Sequence, residues 1–423
     1  MDYTISLPSA STLSATITLP ASKSISNRAL IINALSGGVC HIDNISKCDD
    51  TDAMLMALKS EDGHLNIGAA GTAMRFLTGY CAMQCGRTFT LDGTERMRKR
   101  PIKILVDALR HLGADITYLG EEGFPPLKIV GKPLDKTSEI TLPGNVSSQY
   151  ISSLMMIAPL MPKGLTITLT DGMLSVPYLD MTASIMREFG AEVSRQDNVI
   201  TISPVPYKAT RYTVESDWSA SSYWFEIAAL LPEAEFTLPA LFEHSLQGDC
   251  RIKDIFLSLG VKSRFTQNGL CISGGGEKVS FLSLDLSGQP DMAQTIVVTA
   301  CMLGIPFRIN GLKTLKIKET DRIEALRTEL AKYGIELGVE STDDDLALVW
   351  DGAKKSDNVS SHIDITTYDD HRMALAFAPT AFVSDSEVTI RHTEVVSKSY
   401  PEYWKHLASV GVLLRDDSTD SAK

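Results

Sequence analysis

The feature that most restricts what this chain can fold into is a segment that recurs along it. Small and polar residues lead into a nearly all-apolar run of helical length, a Gly or Pro breaks it, and a β-branched stretch follows. Six copies are present: ASKSISNRALIINALSGG, GAAGTAMRFLTGYCAMQCG, GNVSSQYISSLMMIAPLMPKG, SDWSASSYWFEIAALLPEA, GQPDMAQTIVVTACMLGIP and YDDHRMALAFAPTAFVSDS. Their starts lie roughly 50 to 80 residues apart, within the range of structural repeats. A second helical pattern alternates with the first and ends in Gly before a strand, as in VDALRHLGADI, SIMREFGAEV, KDIFLSLGVKS, RTELAKYGIEL and WKHLASVGVLL, with a weaker copy at DAMLMALKSEDG. Glycine is the residue expected just past a helix C-terminus, where the backbone turns left-handed.

The two patterns differ in what they can bury. Helices of the first kind are apolar on nearly every side and belong inside, whereas those of the second carry one apolar stripe and are half buried. Helices alternating with strands indicate an α/β class. A pair of doubly wound parallel sheets is the alternative, but their strands read as near-continuous apolar runs. Here RYTVES, TLTD and EVTIRHTEV alternate, as strands with one face in water do. The pattern favours buried helices and outward-facing sheets. At 423 residues the chain also exceeds what one core usually fills, so two domains of roughly 200 residues are expected.

Charge narrows the partners. The net charge of −12 disfavours nucleic acid, yet a small anion needs only a local basic cluster. No apolar run approaches the ~20 residues of a membrane span. The opening MDYTISLPSASTLS lacks the basic and apolar regions of a signal peptide, so a cytoplasmic location is expected. Seven cysteines without zinc-like spacing are expected to be buried free thiols, with no metal site.

Helix N-termini attract anions, because their amides are unpaired and the dipole end is positive. Several starts also carry cations: Lys23, Ser24 and Arg28 at the first apolar helix, Arg75 at the second, and Asp370, His371 and Arg372 at the sixth, with Ser147, Ser148 and Gln149 at the third. For any one of them a solvated cap is the plain alternative. The set is harder to dismiss, since a cation there opposes the dipole by about 0.3 to 1 kcal/mol, and repetition argues for an anion among them. In RMRKRPIKILVDAL, Pro101 fits the first helical position and places Arg100 beside the cap, while Arg96, Arg98 and Lys99 read equally as a solvent-facing run. In KETDRIEALRTEL, Asp321 and Glu324 resemble a capping box, with Lys318, Glu319 and Arg322 at the helix start and Ile323, Leu326 and Leu330 as its apolar stripe. Asp291, after Pro290, reads most simply as an N-cap. GAAGTAMR lacks the ending of a P-loop and the GGGE at Gly274 opens no helix, so neither supports a nucleotide.

Taken in order, LPASKSISNRAL, GAAGTAMR, RMRKRPI, GNVSSQ, SVPY, PDMAQT, KETDR, DDHRMA and SKSYPEY give the chain an end-to-end resemblance to the 5-enolpyruvylshikimate-3-phosphate synthases. The resemblance implies two inside-out α/β domains of three repeats each, residues 21–214 and residues 1–20 plus 215–423, with the active site in the cleft between them. It implies transfer of the enolpyruvyl group of phosphoenolpyruvate to the 5-hydroxyl of shikimate 3-phosphate by addition and elimination, in a monomer that uses no cofactor. Carried over by motif, Lys23, Ser24, Arg28, Ser147, Ser148, Gln149, Ser175, Asp291 and Lys318 hold shikimate 3-phosphate. Phosphoenolpyruvate falls to Lys23, Gly71, Arg100, Gln149, Arg322, Arg372 and Lys398. Asp291 and Glu319 move protons, with Lys23 beside the reacting groups and His371 in support. Gly71 is expected to leave the space in which the inhibitor glyphosate binds. The chain departs from the family pattern at Ala69 (usually Asn), Phe76 (usually Pro) and Thr314 (an Asn that helps hold shikimate). The related transferase acting on UDP-N-acetylglucosamine has a different N-terminal motif, and a non-catalytic binding protein would have no need of the full charged set.

Overall fold

The computed structural model describes residues 1–7, 13–172, 176–342, 345–355 and 359–416. The chain forms two compact units, one of Met1–Pro20 with Ser216–Lys423 and one of Ala21–Glu215. Both are built from one plan. A strand runs into a buried helix and a second strand parallel to the first, then an amphipathic helix leads to an antiparallel hairpin that completes a four-stranded sheet.

In the Ala21–Glu215 unit, His64–Asn66 pairs in parallel with Thr88–Asp92 across the buried helix Gly71–Met83. The amphipathic helix Lys103–Leu112 follows, then the hairpin Asp115–Tyr118 and Leu127–Val130. Glu139–Pro143 and Leu165–Thr170 flank the helix Ser148–Ile157 in the same way, followed by Val176–Glu188 and the hairpin of Val193–Gln196 with Val199–Ile202. The helix Lys23–Leu35 leads to His41–Asp43, whose parallel partner, Arg211–Thr213, comes from the far end of the unit.

The other unit closes similarly around the helices Trp218–Leu230, Ala293–Met302 and His371–Phe377. Its first parallel pair joins Ser14–Thr16 to Glu235–Leu238, and its last antiparallel pair joins Leu413–Asp416 to Tyr3–Ser6. The N-terminal segment thus supplies one strand to each of two sheets in this unit.

Burial follows the apolar content. Every residue of Trp218–Leu230 except Ser219 is buried. Hydroxyls inside such helices are satisfied locally: Ser221 donates to the Trp218 carbonyl at 2.7 Å and Thr299 to that of Thr295 at 2.7 Å. Strands alternate, as in Leu165–Thr170, with one face covered and one wet. Gly113 (φ 113°) closes Lys103–Leu112 in the left-handed region, which is why Gly ends these helices. Among the described residues no helix is long and apolar enough to cross a membrane.

Four local expectations need correction. Pro101 is not the first helical residue: Thr94 caps a short helix Glu95–Arg98, and Lys103–Leu112 starts only after Ile102, whose amide is taken by the Gly123 carbonyl. Asp291 is not an N-cap, since it lies in the 3₁₀ turn Pro290–Met292 ahead of Ala293–Met302, with its carboxylate turned to cations. Asp321 does cap Arg322–Ala331, accepting from the amides of Ile323 (3.1 Å) and Glu324 (3.2 Å), but the Glu324 side chain pairs with Arg327 at 2.8 Å rather than completing the box. All seven cysteines are free, but only Cys48, Cys81 and Cys301 are buried, and Cys85 is exposed because its helix ends at Met83.

Candidate active site

In the unit that contains both termini, charge gathers around Arg322, the first residue of its helix. Its side chain is 1% exposed, and carboxylates around it offset the cost of burying the charge. Nε and Nη2 donate to the two oxygens of Asp370 at 2.7 and 3.2 Å, Nη1 to Asp291 at 2.8 Å, and Nη2 also to Glu319 at 3.1 Å. Above this floor the groups are more open. Lys318 reaches Asp291 at 3.3 Å, Arg372 lies 3.6 Å from its other oxygen, and Lys398 meets Glu319 at 3.2 Å. Asp370 also caps the helix that carries Arg372, accepting its amide at 3.0 Å.

Electrostatics follow from this packing. Burial would push the Asp291 carboxyl up, but Lys318, Arg372 and Arg322 together hold it well below the usual carboxylate range. Burial opposes the charge of Arg322, and Asp370, Glu319 and Asp291 more than restore it. His371 is buried, with Nδ1 3.6 Å from Asp370. Tyr223 receives a hydrogen bond of 3.5 Å from Arg372, and burial raises its hydroxyl to about 12. Asp249 is buried and accepts from Ser219, and its burial lifts its carboxyl to about 6.

In the other unit the helix starts carry the polar groups. Ser22 caps Lys23–Leu35, and Lys23 pairs with Asp50 at 3.1 Å. Ser24 is half-buried at the same start. Arg28, one turn in, is 2% exposed, and its partners are neutral oxygens: Thr182 at 2.7 Å, the Ser24 carbonyl at 2.9 Å, and Ser152 and the Tyr178 carbonyl at 3.5 Å. Burial pushes this guanidinium down to about 10. Phe76, where the family pattern has Pro, lies beneath it at 5.3 Å. Ser147 caps Ser148–Ile157, accepting the Gln149 amide at 3.4 Å, while the Gln149 side chain donates to Thr72 at 3.0 Å. Starts of two buried helices are thereby joined.

Gly71 does not face open space. A Cβ there would stand 2.6 Å from Nη1 of Arg100, so the guanidinium fills the room a side chain would take. Of the other two departures, Ala69 is exposed, and the buried Thr314 hydroxyl finds no hydrogen-bond partner among the described residues. Ser175 lies outside the described residues.

With this geometry in view, comparison with known proteins is decisive. The chain matches EPSP synthase (3-phosphoshikimate 1-carboxyvinyltransferase) over residues 8–60 and 59–407. It belongs to the EPSP synthase family. A 3-phosphoshikimate 1-carboxyvinyltransferase of Bacteroides fragilis (strain YCH46) is 51% identical over 412 residues, covering 97% of this chain and 98% of its own. One from Colwellia psychrerythraea is 37% identical and covers 93% and 96%. The solved EPSP synthase of Acinetobacter baumannii shares the fold, with a TM-score of 0.76 at 21% identity over 98% of this chain and all of that one.

Within this EPSP synthase family member, the structure gathers Asp291, Lys318, Glu319, Arg322, His371, Arg372 and Lys398 in one unit. It brings Gly71 to Arg100 and joins Gln149 to the Gly71 helix in the other. Sequence reasoning missed Asp50, Tyr150, Thr182, Tyr223 and Asp249. Asp50 reads as an ordinary acid in a helix first turn, and Tyr150 and Tyr223 read as core. The run of Asp49, Asp50 and Asp52 opposite a basic helix start is the one signal that could have exposed Asp50.

Proposed function

We propose that this chain transfers the enolpyruvyl group of phosphoenolpyruvate to the 5-hydroxyl of shikimate 3-phosphate and releases phosphate. Each substrate carries a carboxylate and a phosphate of about −1.5 to −2 charge, which guanidinium forks and ammonium groups suit. Ser147, Ser148 and Lys23 take the shikimate phosphate. Ser24, Arg28, Gln149, Ser175, Asp291 and Lys318 take the rest of that substrate, and Lys23, Gly71, Arg100, Gln149, Arg322, Arg372 and Lys398 take phosphoenolpyruvate. Arg28 fits a carboxylate, because its present partners are all neutral.

The observation that carries the reading is a pair of carboxylates set apart by their partners. Asp291 bridges Lys318, Arg322 and Arg372, while Glu319 is shared by Arg322 and Lys398. Asp291 takes the proton of the 5-hydroxyl as that oxygen bonds to the central carbon of phosphoenolpyruvate, and Glu319 delivers a proton to the methylene carbon. In the tetrahedral adduct a methyl proton returns to the Glu319 carboxylate as the carbon–oxygen bond to phosphate breaks, which restores the double bond, and the proton held by Asp291 leaves with the phosphate. A carboxylate held so far below its usual range is a weak base. Substrate anions that draw Arg322 and Arg372 toward themselves relieve that hold, and Asp291 gains basicity as the site fills. His371 supports Asp370 from 3.6 Å. The reaction needs no metal or organic cofactor, because phosphate is a ready leaving group and the cations steady its charge.

The test is phosphate release from phosphoenolpyruvate with shikimate 3-phosphate, UDP-N-acetylglucosamine or no acceptor. Release only with the first is expected, and release with the second would transfer the chain to the rival reaction. Asp291→Ala should keep binding both substrates while losing at least about 10²-fold in turnover. Full turnover in that variant removes Asp291 from the mechanism.

A further inference from the structure

The carbonyl of Pro101 receives two hydrogen bonds from the interior of the Ala21–Glu215 unit: Nη2 of Arg75 at 2.9 Å and the hydroxyl of Tyr150 at 2.6 Å. Neither donor is incidental. Arg75 is 3% exposed, its Nη1 reaches the Gly71 carbonyl at 3.3 Å and Met97 Sδ at 3.4 Å, and its guanidinium lies 6.0 Å from the Tyr150 ring. Ser153 in turn donates to the Arg75 carbonyl at 2.9 Å. One residue before Pro101 stands Arg100, whose amide donates to Met97 and whose guanidinium packs against Gly71.

We infer that Arg75 and Tyr150 are positioning residues that fix Arg100, acting as a two-donor strut on the Pro101 carbonyl. The segment needs such a strut because it belongs to neither flanking helix. The short helix ends at Arg98 and the next begins at Lys103, so the backbone between is not held by a helical ladder. The strut ties it to the opening two turns of the Gly71–Met83 helix and the first turn of Ser148–Ile157, which also carry Gly71, Thr72 and Gln149. Arg100 is thereby set relative to the other groups assigned to phosphoenolpyruvate in this unit. The inference rests on that assignment of Arg100. A misplacement of about 1 Å in such a group is enough to lose much of its binding.

The test is a double-mutant cycle of Tyr150→Phe and Arg100→Ala, read by steady-state kinetics with each substrate varied. Tyr150→Phe keeps the ring and removes one donor, so folding should be unaffected. The KM for phosphoenolpyruvate should rise about fivefold, with kcat and the KM for shikimate 3-phosphate changed by less than about twofold. In the Arg100→Ala background the same substitution should have no further effect, because there is nothing left to position. An equal rise in both backgrounds, or no rise in the wild type, overturns the strut. If Arg100→Ala alone leaves that KM unchanged, the assignment of Arg100 itself fails, and the single variant shows which of the two ideas has fallen. Arg75→Lys, which keeps the charge but loses the forked reach, should reproduce the Tyr150→Phe pattern, and a uniform loss of activity toward both substrates would speak against it.

Discussion

Glu226 offers a stability test that can be worked from its surroundings. It sits in the helix Trp218–Leu230 with no exposed surface, and neither carboxyl oxygen has a hydrogen-bond partner among the described residues. Thr299 stands near enough to favour the charged form, but its hydroxyl is given to the Thr295 carbonyl, and Tyr403, itself buried, feels the Glu226 charge. Burial therefore raises the carboxyl well above the usual carboxylate range, and between the unfolded and folded pKa the fold holds it protonated where the unfolded chain ionises it. The raised group contributes full stability below the unfolded pKa and loses it as pH climbs toward the folded pKa. Between the two, the loss is at most about 1.4 kcal/mol per pH unit. Glu226→Gln mimics the neutral acid and abolishes that slope. Urea unfolding of both proteins across about pH 5 to 8 should show the variant gaining on the wild type as pH rises, by at most about 1.4 kcal/mol per unit, and levelling off once the folded pKa is passed. A difference that does not change with pH would mean that Glu226 is already ionised in the fold, and the argument from burial would fail.

Two further outcomes follow from the site. Gly71→Ala puts a Cβ 2.6 Å from Arg100 Nη1, and because that is the far end of a flexible side chain the protein should fold while Arg100 retreats. The KM for phosphoenolpyruvate should then rise about tenfold and inhibition by glyphosate weaken, and an inhibition curve indifferent to the substitution would refute the placement. Arg28→Lys keeps a charge but cannot span Thr182, Ser152 and two carbonyls, so the KM for shikimate 3-phosphate should rise at least about tenfold with that for phosphoenolpyruvate unchanged. Equal rises for both substrates would remove Arg28 from the shikimate side.

The buried helices were legible because an apolar run on every face has only one place to go, and the Gly-closed helices because left-handed backbone selects its residue. Sheet closure was not legible from the residues alone. Tyr3 pairs with Ile390 and Asp416, and Ser14 with Glu235, and nothing local in a short alternating segment names a partner hundreds of residues away. Asp291 was misread for a related reason. Its N-cap propensity is a local signal, and it lost to three cations delivered from Lys318, Arg322 and Arg372. Tyr150 was invisible because its ring reads as core and its one polar group, the hydroxyl, bonds a carbonyl 49 residues away in sequence.

The cations at helix starts were the sequence's main argument for an anionic ligand, and the structure sharpens what kind of anion can succeed. Several of the site's cations already face carboxylates of the protein: Lys23 has Asp50, Arg322 has Asp370, Asp291 and Glu319, and Lys398, away from any helix start, has Glu319. A substrate must compete with these pairs rather than fill an unmet charge. A single carboxylate gains little by exchange with another carboxylate, whereas a phosphate of about −1.5 to −2 charge with three acceptor oxygens gains on both counts. Arg28, whose hydrogen-bond partners are all neutral oxygens, is where a carboxylate need displace no rival. A ligand with a phosphate at one end and a carboxylate at the other is therefore favoured over either group alone, and this follows from the protein's own ion pairs before any substrate is named.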